Sequence, residues 1–148
     1  MTSIHNSSAM TAAVALADSI NASGVTLPQC LVSLTPRVVE SEGELQAAFY
    51  AVPTALTNER IARTVIERDV TVSLVLLVPI SDDSEVLIFL AELQSVSDCV
   101  MALGKSDDNA VRFVKWDCDE LYDQELLAEQ RILRSQINFS CKVIDNLT

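Results

Sequence analysis

Hydrophobic and polar residues alternate along the last regular stretch of the chain, residues 133–144. Apolar or small side chains occupy its odd-numbered positions, and polar side chains occupy the even-numbered positions from Arg134 to Lys142. A period of two is typical of a strand with one buried and one wet face, because successive side chains point to opposite faces of the sheet. We therefore predict a closing antiparallel strand with a buried face formed by Leu133, Ser135, Ile137, Phe139, Cys141 and Val143.

Four further strands are predicted upstream of this one. The first is an extended segment over about residues 30–39, in which Pro36 makes part of the segment an edge strand or a break. Residues 69–80 are rich in β-branched side chains and apolar on both faces around residues 75–78, which is typical of a central strand covered on both sides. Residues 110–116 are expected to form a short strand. Residues 45–52 are expected to form a strand that ends at Pro53, with one face carrying Leu45, Ala47, Phe49 and Ala51.

Helical periodicity predicts two helices, over residues 11–22 and residues 84–103. Polar residues 81–84 are suited to cap the start of the long helix, and Gly104 is suited to the left-handed position after its end. The stripes expected to be buried are Ala13, Val14, Ala17 and Ile20 in the first helix, and Val86, Leu90, Leu93, Val96, Val100 and Leu103 in the second.

The remaining segments complete one domain. Residues 1–10 are expected to be flexible, and residues 11–148 to form a single domain without repeats. Residues 54–68 are polar and charged without a clear period, so we predict a long surface loop, with an extended hairpin arm as the alternative. Residues 117–129 are expected to be an ordered loop or a helical turn. The fold class is α+β: a mainly antiparallel β-sheet with an N-terminal helix and one long amphipathic helix packed on it.

The charge balance is strongly acidic, with 21 Asp and Glu against 10 Lys and Arg and a formal net charge of -11. Binding to phosphates requires clustered cations, so the composition argues against direct nucleic-acid binding. No signal peptide is expected, because residues 1–10 lack both a charged n-region and an apolar h-region. No membrane span is expected, because the apolar run of residues 70–80 is much shorter than the roughly 20 residues that cross a bilayer. Four cysteines without metal-ligand spacing are expected to be buried free thiols in a reducing compartment.

Candidate catalytic chemistry is absent from the sequence. The one histidine, His5, lies in the expected flexible start, and the three glycines are isolated turn positions. Asp117 and Asp119 have the spacing of a calcium loop, but the glycine and glutamate that complete such a loop do not follow. We expect no enzyme activity and no catalytic, metal or cofactor site.

A mixed-charge cluster on the predicted loop is the first candidate interaction site. It consists of Arg60, Arg63, Glu67 and Arg68, together with Glu59. One interpretation is a solvated loop. The other is a loop ordered by a neighbouring subunit, whose carboxylates the arginine side chains would bind in a bidentate geometry.

At this point the layout resembles the tail terminator and head–tail connector (neck) proteins of tailed bacteriophages, also called tail-completion proteins. The resemblance covers most of the chain from about residue 11, and its sharpest part is the Leu121-Tyr122-Asp123 segment before the alternating last strand. The other matching parts are Phe49-Tyr50-Ala51-Val52-Pro53, an arginine-containing segment at residues 60–68, the apolar strand and the long helix.

The resemblance implies a structural virion protein, assembled in the host cytoplasm, that forms a homo-oligomeric, commonly hexameric, ring at the head-proximal end of the tail. Such a ring stops tail-tube growth and contacts the tail tube protein and the connector, while DNA passes its lumen without specific binding. It also implies that residues 54–68 and the acidic segment 117–125 are interfaces, with Asp119, Tyr122 and Asp123 in the latter.

Two alternatives remain open at the level of the sequence. One is a neck or stopper protein of the connector. The other is a small acidic binding module that mimics DNA and inhibits a basic enzyme, which the net charge of -11 motivates.

Overall fold

The secondary structure is seen in a computed structural model that describes residues 7–23, 27–37, 39–41, 43–61, 65–106 and 110–146. The helices are α1 Ser8–Ala22, α2 Asp83–Leu103 and α3 Gln124–Gln130. The strands are β1 Cys30–Val32, β2 Val39–Ser41, β3 Glu44–Gln46, β4 Ala48–Ile61, β5 Val65–Pro79, β6 Val111–Asp117 and β7 Ile132–Asn146.

Five strands form one sheet in the order β1-β4-β5-β7-β6, while β2 and β3 form a separate hairpin. All neighbours in the large sheet are antiparallel except β1 and β4, which pair in parallel over three residues. The predicted fold class is confirmed: a mainly antiparallel sheet carries an N-terminal helix and a long helix. The central position of the apolar strand, now β5, is confirmed as well.

The main core lies between the sheet and helices α1 and α2. The alternation predicted for the last strand holds, because all six inner-face residues of β7 from Leu133 to Val143 are buried. Even-numbered residues of β5, from Val70 to Val78, complete the sheet side of this core. The helices contribute Ala12, Ala13, Leu16, Ala17, Ile20, Val86, Leu93, Val96 and Val100.

The first helix differs from its prediction in length and in its buried stripe. It begins at Ser8, where the Met10 N–H donates to the side chain of the N-cap residue Ser7 at 3.2 Å, so residues 8–10 are helical rather than flexible. Residues 1–6 lie outside the described part of the chain. The buried stripe includes Ala12 and Leu16, which were not predicted, whereas the predicted residue Val14 is 42% exposed.

The ends of the long helix are formed as predicted. Asp82 accepts a hydrogen bond from the Ser84 N–H, and the Glu85 side chain accepts from the Asp82 N–H, which together make a capping box. Gly104 closes the helix with a φ of 75°, a conformation that costs glycine little. The predicted stripe is correct except at Leu90, which is half-buried, and Leu103, which is 54% exposed.

By length and composition, α2 could also cross a membrane. Its apolar character has a second explanation, because Val86, Leu93, Val96 and Val100 pack in the core. Leu87 and Ile88 on its outer side are exposed.

The predicted loop at residues 54–68 is wrong for residues 54–61 and 65–68, which belong to the two strands of an extended hairpin arm, the alternative prediction. Residues 62–64 lie outside the described residues. β4 pairs with β5 from Ala48↔Leu77 to Ile61↔Ile66, and β7 pairs with β5 as far as Val65↔Asn146. We call residues 54–61, 65–69 and 142–146 the arm. The strands over residues 54–61 and 65–69 are held to their neighbours by backbone pairing, which requires no period of two in the sequence.

A smaller cluster lies on the opposite face of the sheet. It contains Ala48, Tyr50, Val52, Val75, Leu77 and Ile132, with Leu126 of α3 packed against it. The buried positions of β4 therefore lie on both faces, whereas the predicted face began at Leu45 and Ala47, which are exposed. The Tyr50 hydroxyl donates to the Arg37 carbonyl at 2.9 Å, which ties the segment before β2 to this face.

The acidic segment 117–129 resolves into a short connection and the helix α3. Asp123 caps α3 by accepting from the Leu126 N–H at 3.0 Å. Arg131 ends the helix with a φ of 55° and donates to Asp83 at 2.8 Å. The end of α3 is thus tied to the start of α2.

Candidate functional site

The sheet face opposite α1 and α2, here called the second face, carries a row of polar side chains. It is formed by the odd-numbered residues of β5 and the even-numbered residues of β7, which lie side by side in register. All of these polar residues are half-buried except Ser73, which is buried. The row consists of Glu67, Asp69, Thr71 and Ser73 on β5, and Arg134, Gln136, Asn138, Ser140 and Lys142 on β7.

Three members of this row form a hydrogen-bonded network at the centre of the sheet. The Ser73 hydroxyl donates to Asn138 Oδ1 at 2.7 Å, and Gln136 Nε2 contacts the same two oxygens at 3.4 and 3.3 Å. Ser73 is only 2% exposed, so its hydroxyl needs these partners. The network provides hydrogen-bond partners for the polar side chains at the centre of the second face.

The arm end of the second face carries an ion cluster. Lys142 Nζ lies 3.4 Å from Glu67 Oε1 and 3.5 Å from Asp69 Oδ1, across the β5–β7 pairing. All three side chains are partly exposed, so the cluster fixes the position of the side chains more than it stabilises the fold. Glu67, one of the predicted interface residues, is therefore bound within the chain on this face.

The other predicted residues of the first cluster are separated by the hairpin geometry. Arg60 lies on β4 directly opposite Glu67 in register, while Arg63 lies outside the described residues. Arg68 is on the helix-covered face, where its Nη1 donates to Ser8 Oγ at 3.2 Å. Arg68 thus ties the arm to the start of α1, and the expected contact of this cluster with a neighbouring subunit stays a prediction.

The second predicted group is brought together by the fold. Asp119, Tyr122 and Asp123 line a shallow cavity of about 200 Å³ beside β7. Asp123 also has the capping role in α3. Sequence reasoning missed the other lining residues, although the even-numbered polar positions of β7 signalled three of them. The remaining lining residues are Glu120, Arg134, Gln136 and Asn138.

A larger groove, of about 670 Å³, runs between α1 and α2. Its walls are mostly small and apolar, with Asp18 as the one charged lining residue among those described. Exposed Val14 and Leu103 give it a hydrophobic rim. Its lining residues are Thr11, Val14, Ala15, Asp18, Ser19, Ala22, Ser23, Cys99, Leu103 and Ser106.

The four cysteines are free, and only two of them are buried as predicted. Burial raises the pKa of Cys30 and of Cys141 from 9.0 to about 12. Cys118 is half-exposed, with its pKa raised by partial burial, and Cys99 is exposed. Because the thiolate is the nucleophile, the buried pair is inert at neutral pH.

Within the described residues, no three His, Cys, Asp or Glu side chains are grouped so as to hold a metal ion. His5 lies outside those residues. The described geometry offers interaction surfaces, namely the second face, the arm and the α1–α2 groove.

Comparison with known proteins gave no match, either to a protein-family model or to a curated protein.

Proposed function

We propose that this chain is a structural virion protein that forms a ring at the head-proximal end of a phage tail, where it ends tube growth and joins the tail to the connector. The proposal combines the resemblance of residues 119–127 and 130–144 to tail-completion proteins with the surfaces of the fold. A neck or stopper protein of the connector is the alternative under the same resemblance.

The observation that carries the proposal is the open edge of the arm. β4 pairs with β1 only from Phe49 to Ala51, so its outer edge over residues 52–61 has no strand partner among the described residues. A strand edge of this length presents a row of backbone donors and acceptors, and natural proteins cover such edges or use them for association. The exposed apolar side chain of Leu56, 47% accessible, lies on this segment.

A contact made by this edge with a different surface of the next subunit is heterologous, and heterologous contacts close into rings when the rotation fits. The second face supplies the polar wall that a DNA-filled lumen needs. The net charge of -11 opposes retention of DNA by the ring as a whole.

The ring is tested by native mass and electron microscopy of the purified chain at high concentration, alone and with isolated tail tubes. We expect ring-shaped particles, and we expect Leu56→Lys to abolish them because it places a charge at the contact. The matched control is Leu87→Lys, since Leu87 is 71% exposed on the outer side of α2. Rings that survive Leu56→Lys would exclude the arm as the contact, and native phage particles without density for this chain would exclude the function.

The acidic binding module remains as the second candidate, and the cavity beside β7 favours it. Asp119 and Glu120 are exposed at its rim, while Arg134 in the same wall reduces the local negative charge. A pull-down with the intact chain that returns a basic DNA-binding enzyme, released by salt and by Asp119→Asn, would support this candidate over the ring.

A further inference from the structure

Strand β6 forms one edge of the sheet, and its charges are arranged with opposite signs on either side of one residue. Arg112 and Lys115 precede Trp116, whereas Asp117 follows it and Asp119 and Glu120 come next. Lys115 and Asp117 are exposed on the second face, opposite Ser140 and Asn138 of β7. Within the described residues, neither makes a salt bridge.

The outer edge of β6 is covered only in its first half. Ser106 N–H donates to the Val111 carbonyl at 2.8 Å, and Phe113 N–H donates to the Gly104 carbonyl at 2.9 Å. Past Phe113, no described strand pairs with this edge. Val114, 44% exposed, lies on the uncovered part.

The hydrogen-bonding direction of the uncovered part follows from its pairing with β7. Ile144 N–H donates to the Ala110 carbonyl, so even-numbered residues of β7 direct their backbone groups toward β6. The register shift between Phe113 and Lys115 adds one residue to β6. The backbone N–H and C=O groups of Lys115 and Asp117 therefore point toward β7. Those of Trp116 point away from β7, toward the open edge of the sheet.

We infer that the β6 edge pairs with the β6 edge of a second copy of this chain, antiparallel, across a twofold axis at Trp116. In this register Trp116 exchanges backbone hydrogen bonds with Trp116 of the second copy. Lys115 then lies opposite Asp117 of the second copy, and Asp117 lies opposite its Lys115. Both charge pairs occupy non-hydrogen-bonded positions, where opposed side chains are closest.

The occupant is a second copy because an identical strand satisfies both halves of this pattern at once. An isologous contact requires the same patch to be complementary to itself, and a charge pattern that reverses sign at the axis has that property. Duplex DNA fits less well, because the exposed cations near this edge are followed by exposed acidic residues, which phosphates would meet as like charges. The cations are Lys105, Arg112 and Lys115, and the acidic residues are Asp117, Asp119 and Glu120. A twofold contact joins two chains and closes, so it is independent of the proposed ring and uses a different sheet edge.

The test is sedimentation equilibrium of the full chain up to millimolar concentration, at low and high salt. The two β6 edges share only a short run of backbone hydrogen bonds, and small interfaces are weak. We therefore expect a dimer with a dissociation constant in the micromolar to millimolar range, and we expect the dimer to weaken with salt. Lys115→Glu places like charges opposite each other twice and should weaken the dimer by about tenfold or more. The double swap Lys115→Asp with Asp117→Lys should restore it.

The matched control is Arg37→Glu, which makes the same charge change at an exposed residue remote from β6. A chain that stays monomeric, or a dimer that Lys115→Glu leaves unchanged, overturns the inference. A labelled DNA duplex that binds the monomer and is lost in Lys115→Glu overturns it in favour of a nucleic acid.

Discussion

The Ser73 hydroxyl on β5 donates a hydrogen bond of 2.7 Å to Asn138 Oδ1 on β7, directly opposite in register, at the centre of the sheet. The two residues are far apart in the sequence, and both stand on the second face beside apolar neighbours. Their bond, with Gln136 as the third member, lets a polar row continue into the middle of a sheet that is otherwise packed with aliphatic side chains.

Removing the hydroxyl by Ser73→Ala should lower the free energy of unfolding by about 1 kcal/mol, because a buried hydrogen bond is lost and Asn138 loses one of its donors. The measurement is urea unfolding at a fixed protein concentration, since association would otherwise alter the result. Ser140→Ala is the matched control: Ser140 lies on the same face of β7 without a side-chain hydrogen bond among the described residues. Equal losses in the two variants would contradict a specific role of the network.

The elements that could be predicted are those whose periodicity reports burial directly. β7 has a clean period of two because one face packs on both helices, and α2 has a clear stripe between a capping box and Gly104. The buried stripe of α2 has a sharp boundary at Cys99 and Val100. Val100 is buried in the core, whereas the neighbouring Cys99 is exposed and lines the groove beside α1. One helical position separates a core residue from a surface residue.

The hairpin over residues 54–68 could be predicted only as the alternative to a surface loop, because the backbone register that holds its strands cannot be read from the sequence. Residues 54–61 pair with β5 through backbone bonds, with irregularities after Pro53 and after Asn58, and these features leave no hydrophobic signature. The same cause hid the second face as a site. Its charged residues come from β5, β6 and β7, and only the pairing places Lys142 beside Glu67 and Asp69.

The capping box of α2 gives a second prediction for stability. Asp82→Ala removes the acceptor for the Ser84 N–H and should cost about 1 kcal/mol of unfolding free energy. Asp83→Ala, which removes only an exposed ion pair with Arg131, should stay within about 0.5 kcal/mol of the wild type. The two are compared by urea unfolding, and a larger effect of Asp83→Ala would show that the tie between α2 and α3 is the stronger element.

The buried thiols predict how stability depends on alkaline pH. In the folded chain the pKa of Cys141 is raised to about 12 by burial, while its ordinary value is 9.0. The folded state therefore keeps the proton that the unfolded state loses. The stability linked to this group is fully present below pH 9.0 and declines as the pH rises from there toward about 12.

Unfolding measured at several pH values in this window should show a falling stability, with a shallower fall in Cys141→Ala. The same burial predicts the order of thiol alkylation in the native chain. Cys99 should be modified in the native chain, whereas Cys30 and Cys141 should react only after denaturant is added, because they are both buried and protonated. Rapid modification of Cys141 in the native chain would show that β7 separates from the helices. In the unfolding experiment, an unchanged dependence of stability on pH in Cys141→Ala would assign the alkaline loss of stability to other groups.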